Sequence, residues 1–598
     1  MTQKKSKLGL FWLELKRRRV VHVITVYASA AFVLIELVNN LSEPLNLPAK
    51  LPTIIIIVLA VGFPLAVILA WLYDLTPEGI EKTGPVEAQD ISRNTKVPNA
   101  WRIATYVSFV VIAALVTLHI VGGAKELKAG DIQSLVILPF DNFTGDDQME
   151  TVIAGMHSML IGDIGRINGL RVISPTTSRV FKNGERSIPQ IASELGVNAV
   201  IEPSVMCFGD TVCMQVKVMS TYPEEKILWV ADYREAKGEV LNLYNRITRE
   251  VAEKVRIQLT EGEQAIFSEN RTVRPEALDA YLKGQYYWEL LDVDSIPKAM
   301  ASFQLAAELD PDWADPYAGL GLIWGIFRFF GSLPASATQP MVDRYLSKGM
   351  ELNPNSWTVH FVKAIDAVWG KFDWEQGEEA FLKAIELNPN DALSRLYYAH
   401  LLLILHRNEE ALRMAEIGME LDPLKPIVLG LYGVVLTGTG HYSEAVQACE
   451  KAVSIDPNFR FAHSNILFPA YEMKDYEKWL VAWTEKVRWS DEAKSSVRAA
   501  FDRGGHLEAV REMFRLNELY YPDDCFMDDG VKAQRYMYLG EVEKALDHYE
   551  RMIEADPLDG AYMGTNLYFY DQLKDQRRYL AILEKLNLST PGEMVLTK

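Results

Sequence analysis

Ten histidines, four cysteines and several acidic pairs are the residues of this 598-residue chain best placed to do chemistry, and spacing decides which chemistry is open to them. Cys207, Cys213, Cys449 and Cys525 form no Cys-x-x-Cys pair, so neither a zinc ribbon nor a dithiol redox site is indicated. The histidines are scattered, with no His-Glu-x-x-His to hold zinc, and His157 has no acidic or cysteine partner nearby in sequence. No Gly-x-Ser-x-Gly elbow occurs, nor a glycine-rich phosphate loop closed by Lys and Ser or Thr. Asp146-Asp147, Asp523-Asp524 and Asp528-Asp529 attract cations in principle, but they lack the alternating ligands of a calcium loop and read as solvated acidic loops. Gly319-Leu320-Gly321 with Gly325 has some glycines of a dinucleotide loop, yet no strand precedes it. The expectation is a chain with no catalytic, cofactor or metal site, and not an enzyme.

What the sequence does repeat is a helix-ending phrase. Glu-Leu-Asp-Pro or Glu-Leu-Asn-Pro ends at Pro311, Pro354, Pro389 and Pro423, and variants end at Pro457 and Pro557. The intervals are 43, 35, 34, 34 and 100 residues. A near-constant period of this size marks a helical solenoid. Proline cannot continue a helix, and the Asp or Asn before it is pushed out of the helical region. The longer first interval is assigned to a loop, Gly331 to Pro340, rich in turn formers.

Counting back from Pro423 places Ala399, Ala411 and Gly418 at the eighth, twentieth and twenty-seventh positions of a unit, and from Pro457 Gly433, Ala445 and Ala452. Ala545 takes the twentieth place before Pro557. With Tyr317, Leu320, Gly321 and Trp324 as the bulky partners, residues 272–590 resemble about eight tetratricopeptide repeats, weakest between Trp479 and Tyr521. The first helix of each unit in that family lines a concave face. This makes Leu393, Leu396, His400, Leu403, Val434 and Thr437 the candidate peptide groove, with the alternative that some of them are repeat-to-repeat core.

Residues 1–19 form a basic tail, and 20–124 contain three apolar runs predicted as transmembrane helices at about 20–41, 51–73 and 102–122. Gly62-Phe63-Pro64 predicts a kink in the second. His22, Glu36 and His119 lie at the ends of these runs and read as snorkelling groups. The excess of Lys and Arg before the first run places the amino terminus in the cytoplasm and everything after the third run outside, in the periplasm of a Gram-negative cell. The stretches Phe11 to Val20, Gly62 to Trp71 and Asp74 to Ile80 resemble the membrane segment of many bacterial tetratricopeptide-repeat proteins, which implies the bacterial inner membrane.

Between these parts, residues 131–262 alternate short strands with amphipathic helices, a compact α/β domain. A two-residue Gly209-Asp210 turn would pair Cys207 with Val212 and send the two sulfurs to opposite faces. Only a three-residue turn including Thr211 sets the cysteines directly across from one another, and turn chemistry favours the shorter loop. Leu138-Pro-Phe-Asp-Asn-Phe-Thr-Gly145, Gly169 to Ser174 and Glu194 to Glu202 resemble the amino-terminal domain of TolB and the flagellar assembly protein FlgO. That resemblance implies a periplasmic interaction module with no catalytic residue to carry over.

The fold class expected is thus multidomain: three transmembrane helices, a compact α/β domain and an all-α solenoid. A net charge of −19 excludes a nucleic-acid partner that needs clustered Lys and Arg. The function expected is a membrane-anchored periplasmic scaffold for a protein or peptide partner, without cofactor, its homo-oligomeric state left open. Two rivals remain: a sensory protein relaying a periplasmic state to a cytoplasmic partner, and an enzyme with an unrecognised site. Relatives of this layout that carry a nucleotide cyclase or a winged helix at the amino terminus are an uncertain guide, because nineteen residues before the first run are too few for either.

Overall fold

The computed structural model describes residues 132–588 apart from 183–185, 222–224, 270, 291–293, 328–334, 521–527 and 556–559. It also describes strands β1 (Tyr73–Thr76) and β2 (Gly79–Lys82) and isolated helical positions between 23 and 63. Two compact units emerge, residues 1–123 and 124–598. In the first, β1 and β2 form an antiparallel hairpin with Thr76 opposite Gly79, and the Tyr27 hydroxyl donates to the Leu59 carbonyl at 2.8 Å.

The expectation of three transmembrane helices is corrected here: among the described residues no helix is long and apolar enough to cross a membrane. An apolar run satisfies the length rule for a span only where it forms one uninterrupted helix. The run predicted at 102–122, most of the runs predicted at 20–41 and 51–73, and His22, Glu36 and His119 lie outside the described residues.

The second unit opens with β3 (Ser134–Ile137), whose four residues are buried on both faces, as a central parallel strand requires. β4 (Asp141–Asn142), α1 (Glu150–Ile164), β5 (Arg171–Val172), α2 (Pro175–Arg179) and α3 (Ile188–Leu195) follow. Then come β6 (Ala199–Phe208), β7 (Thr211–Ser220), β8 (Lys226–Ala236), α4 (Val240–Lys254) and α5 (Glu261–Ser268). The sheet runs β5-β3-β6-β7-β8, parallel at β5-β3-β6 and antiparallel beyond, with β4 also pairing β6. Leu135, Ile137, Met156, Leu160, Leu243 and Ile247 belong to the main core with α1 and α4; Val136, Ile191, Leu195 and Val200 form a second, smaller core with α3. Ser187 and Gln190 close a capping box at the start of α3, and Gly196, at φ +60°, ends it in the left-handed region that glycine tolerates best.

The β6–β7 hairpin departs from the short-turn expectation. Phe208 faces Val212, leaving Gly209, Asp210 and Thr211 as the turn, and an irregularity between Val205 and Cys207 lets Met206 bulge out. Cys207 therefore sits directly opposite Cys213, with a Cα–Cα distance of 4.8 Å, and the two form a disulfide. One extra residue on one strand is enough to reset which face every later side chain takes.

From α6 (Pro275–Leu290) the chain is helical hairpins: α7 (Ile296–Leu309), α8 (Ala314–Phe327), α9 (Ala335–Leu352), α10 (Trp357–Ile365) and α11 (Trp374–Leu387). They continue through α12 (Ala392–Ile404), α13 (Asn408–Leu421), α14 (Pro426–Gly438), α15 (Tyr442–Ile455), α16 (Arg460–Glu472) and α17 (Tyr476–Lys486). α18 (Asp491–Tyr520), α19 (Asp529–Tyr538), α20 (Val542–Ala555), α21 (Tyr570–Leu573) and α22 (Arg577–Lys585) complete the solenoid. Asp310, Asn388, Asp422 and Asp456 cap their helices at φ between −132° and −143°, outside the helical region as the following proline demands. The small-residue positions are close contacts. A Cβ on Gly418 would stand 2.9 Å from Leu396 Cγ, and one on Gly433 would stand 2.6 Å from Cys449 Sγ.

Two details depart from the sequence. The insertion read as a loop from Gly331 to Pro340 is helical from Ala335, with Pro340 inside α9. In the weak stretch, α18 is two helices meeting at Gly504-Gly505, so the unit keeps its hairpin with the shortest of turns. A third regularity was invisible beforehand. Phe372, His406, Gly440 and Lys474, each 34 residues from the last, all have positive φ at the turn between paired helices.

Candidate functional site

The α/β domain and the solenoid meet along a seam that begins where α1 crosses α6. A Cβ on Gly155 would lie 2.7 Å from the Leu282 carbonyl carbon, so these helices touch backbone to backbone. Further along, loops of the domain reach the corners where solenoid helices end. The Asn390 side chain donates to the carbonyls of Gly165 and Leu170, each at 2.8 Å, and accepts from the Val172 amide at 2.9 Å. The Ser174 amide donates to Leu421 O at 3.2 Å. Thr177 donates to Asp422 Oδ1 at 2.7 Å and accepts from the Leu424 amide at 3.2 Å. The Asx-Pro corners thus have two uses: they stop helices, and at 388–390 and 420–424 they grip the domain.

Between the two parts lies a cavity of about 220 Å³. Three successive corner residues, Asn353, Asn388 and Asp422, line it, with the rings of Tyr281, Trp288 and Phe361. At one end Lys425 Nζ donates to Glu289 Oε2 at 3.2 Å, and Thr176 donates to the same oxygen. Burial would raise the Glu289 carboxyl, but Lys425 and Arg179 hold it below its usual range. Burial pushes Asp391 and Asp422 up despite their hydrogen bonds. At the other end stand Asp163 and Asp315. Burial pushes Asp163 up to about 6, Arg166 offsets part of this and Asp315 adds to it. Arg166 is 3.8 Å from Asp163, beyond hydrogen-bond distance, and its Nε has no partner. Asp315 is raised by burial too, although the Trp313 indole donates to it at 2.8 Å. Five carboxylates and two cations, Arg166 and Lys425, line this space, so acidic groups outnumber basic ones at both ends.

Of the six groove candidates, Leu393 lines this cavity. Leu396, His400, Leu403, Val434 and Thr437 are all buried. His400 lies under the carboxy-terminal segment: Tyr562 Oη is 2.7 Å from its Nδ1, and Leu431 O is 3.0 Å from its Nε2. A carbonyl can only accept, so Nε2 carries the proton and Nδ1 accepts from the tyrosine. Burial lowers this imidazole to about 4. Phe569 packs edge-on against Phe468 and Tyr538, and the Trp374 indole donates to Asn587 O at 2.9 Å. As folded, the face at His400 is covered by the carboxy-terminal segment of the same chain, whereas Leu396 and Leu403 pack against Gly418 and Gly438 of the neighbouring helices.

The remaining sequence candidates have structural partners. His157 is buried with Nε2 2.9 Å from Ile137 O, and burial lowers it to about 4. Asp528 caps α19 by accepting from the Val531 amide, and Asp529 pairs with His548 at 2.5 Å. Asp146 and Asp147 are exposed, and Asp523 and Asp524 lie outside the described residues. Gly319 and Gly321 sit inside α8 against Phe303 and Val362. Among the described residues no group of three or more His, Cys, Asp or Glu is arranged to hold a metal ion. The cavity itself escaped sequence reasoning, since Asp163 and Asp315 stand 152 residues apart; the Asn390 that follows Asn388-Pro389 was the one local sign.

Two tetratricopeptide-repeat family models match the chain, at residues 380–413 and 428–459. The chain carries tetratricopeptide repeats, an architecture of protein interaction. A protein of Rhizobium meliloti (strain 1021) with a provisional adenylate cyclase name is 26% identical over 211 residues, 35% of this chain and 36% of that protein. The chain therefore spans about a third of the length of this relative. Among solved structures, PilF of Pseudomonas aeruginosa is 19% identical, with a TM-score of 0.28 over 39% of this chain and 97% of that one. A thermophilic tetratricopeptide-repeat protein of Thermus thermophilus, TTC0263, is 14% identical, with a TM-score of 0.27 over 33% and 99%. Human IFIT1, solved as a dimer with m7Gppp-AAAA, is 14% identical, with a TM-score of 0.35 over 52% and 77%.

Proposed function

We propose that this chain is a scaffold that binds a protein partner through its repeats and works in an oxidising compartment, the periplasm of a bacterial cell. The observation that carries the reading is the grip of the solenoid on polypeptide. Its helix corners already hold the loops of the α/β domain through Asn390 and Asp422. Its concave face at His400 already accommodates the segment around Tyr562. A surface that binds chain segments in these two ways is suited to taking another from a partner. The compartment is supported by the Cys207–Cys213 disulfide, since such bonds persist outside the reducing cytosol. The contact region we assign is the stretch of Leu393, Leu396, His400, Leu403, Val434 and Thr437, reached by a partner that displaces residues 560–588.

A photo-crosslinking residue in place of Leu393 tests this in cells, with one in place of Leu382 as the control. Leu382 is 49% exposed on α11 and makes no part of the concave stretch. A discrete partner crosslinked from position 393 and not from 382 is the expected result. The same pattern from both positions, or no adduct from either, would reject the assignment.

A further inference from the structure

The seam cavity shares one wall residue, Leu393, with the contact stretch assigned above, but its charged and aromatic lining has a chemistry that partner binding does not use. It is enclosed by two parts of the chain, and its walls combine aromatic rings with carboxylates that outnumber the cations beside them. Asp163 is the telling group. Among the described residues its carboxylate has no hydrogen-bond donor, its side chain keeps only 22% of its accessibility, and it lines the cavity. A largely buried carboxylate whose only cation, Arg166, stands too far off to hydrogen-bond is costly, and the cost falls when a cation with N–H donors sits against it. Rings beside such a group add attraction for a cation and cover for a carbon stem. A volume of about 220 Å³ is below the roughly 300 Å³ at which pockets for drug-sized ligands begin.

We propose that the cavity binds a small primary amine, its ammonium beside the carboxylates of Asp163 and Asp315 and its stem against the rings of Tyr281, Trp288 and Phe361. The ammonium replaces the missing donor on Asp163 and balances the carboxylate of α8 opposite. At the other end Lys425 already donates to Glu289 and neighbours Asp391 and Asp422, so the place left for a new ammonium is beside Asp163, whose Arg166 neighbour stands 3.8 Å away. The groups that face Asp163 are Arg166 from the turn just after its helix, Asp315 from α8, Tyr281 from α6 and Tyr244 from α4. Binding therefore weakens as pH falls through about 6 and Asp163 takes up its proton.

Calorimetric titration of the full chain with 2-phenylethylamine, using 2-phenylethanol as the uncharged isostere, tests the proposal. The expected result is saturable binding of one amine per chain at pH 7.5 and none of the alcohol. Asp163→Asn should weaken it by roughly tenfold or more, the worth of one charged hydrogen bond. Asp315→Asn, a second variant on the solenoid side, should weaken it in the same direction. No saturable heat up to roughly 10 mM amine, equal binding of the alcohol, or wild-type affinity in both variants would overturn it. Such a failure would leave the scaffold reading in place, because no partner contact assigned above depends on these two carboxylates.

Discussion

Replacing Gly155 with alanine puts the seam to a direct test. The new Cβ would stand 2.7 Å from the Leu282 carbonyl carbon and 2.8 Å from its Cα, with the carbonyl oxygen nearer still. Ordinary contact begins at 3.4 Å, so α1 must retreat from α6 by at least 0.7 Å, the difference between those distances. Because the obstacle is main chain on both sides, no rotamer relieves it. Overpacking of this kind costs about 1–3 kcal/mol, and the rigid partners place this case near 3. The control is Gly162→Ala on the same helix, where a Cβ meets nothing within 4 Å. There alanine should stabilise by about 0.5–1 kcal/mol through helix propensity alone. Urea unfolding followed by circular dichroism should therefore separate the two variants by about 3–4 kcal/mol. If Gly155→Ala unfolds at the wild-type urea concentration, the helices do not touch at this point and the account of the seam is wrong.

Three further outcomes are expected. Asp163 binds its proton more tightly when folded, so wild-type stability falls as pH rises from about 4 through 6; Asp163→Asn should remove that loss and gain up to about 3 kcal/mol at pH 8, read from urea midpoints at pH 4 and 8. His157 and His400 act in the opposite sense: both stay neutral down to about pH 4 when folded, so the stability they contribute is whole above 6.5 and is lost as pH falls from 6.5 to 4. His400→Gln should flatten that acid limb by up to about 3 kcal/mol, and an unchanged limb would show that the imidazole is not buried. Alkylation after unfolding of oxidised protein should label Cys449 and not Cys207 or Cys213, and reduction should lower stability by about 2 kcal/mol for so short a loop.

The parts of this fold that sequence made legible are those whose causes are local. Asx before proline ends a helix wherever it occurs, and Ala411, Gly418, Ala445 and Ala452 are small because the neighbouring helix is only one turn of chain away. The turn residues Phe372, His406 and Lys474 obey the same period but stayed hidden, since a left-handed backbone is signalled by glycine and only Gly440 supplied one. Met206 bulging from β6 reversed the reading of the cysteines, because a register shift of one residue leaves no mark on composition. The seam was out of reach for a different reason. Asn390 serves carbonyls 220 and 225 residues earlier, and nothing near it in sequence calls for those partners. The predicted spans rested on apolar length, scarcity of charge and a resemblance to other membrane segments, and among the described residues no helix reaches that length.

A solenoid of stacked hairpins ordinarily behaves as a one-dimensional chain of springs, each unit knowing only its neighbours, so that it can fray from an end or stretch one joint at a time. The wedge held by Leu282, Asn390 and Asp422 cross-links three widely separated joints of this spring to one rigid block. Between those residues the pitch is locked, and strain applied to one joint is shared by all. The hairpins from α15 onward lie beyond those joints; a latch from Tyr562 back to His400 on α12 closes over them, and they gain elastic freedom once it opens. A pulling measurement would find a stiff half and a compliant half in what looks, from its repeats, like a uniform rod.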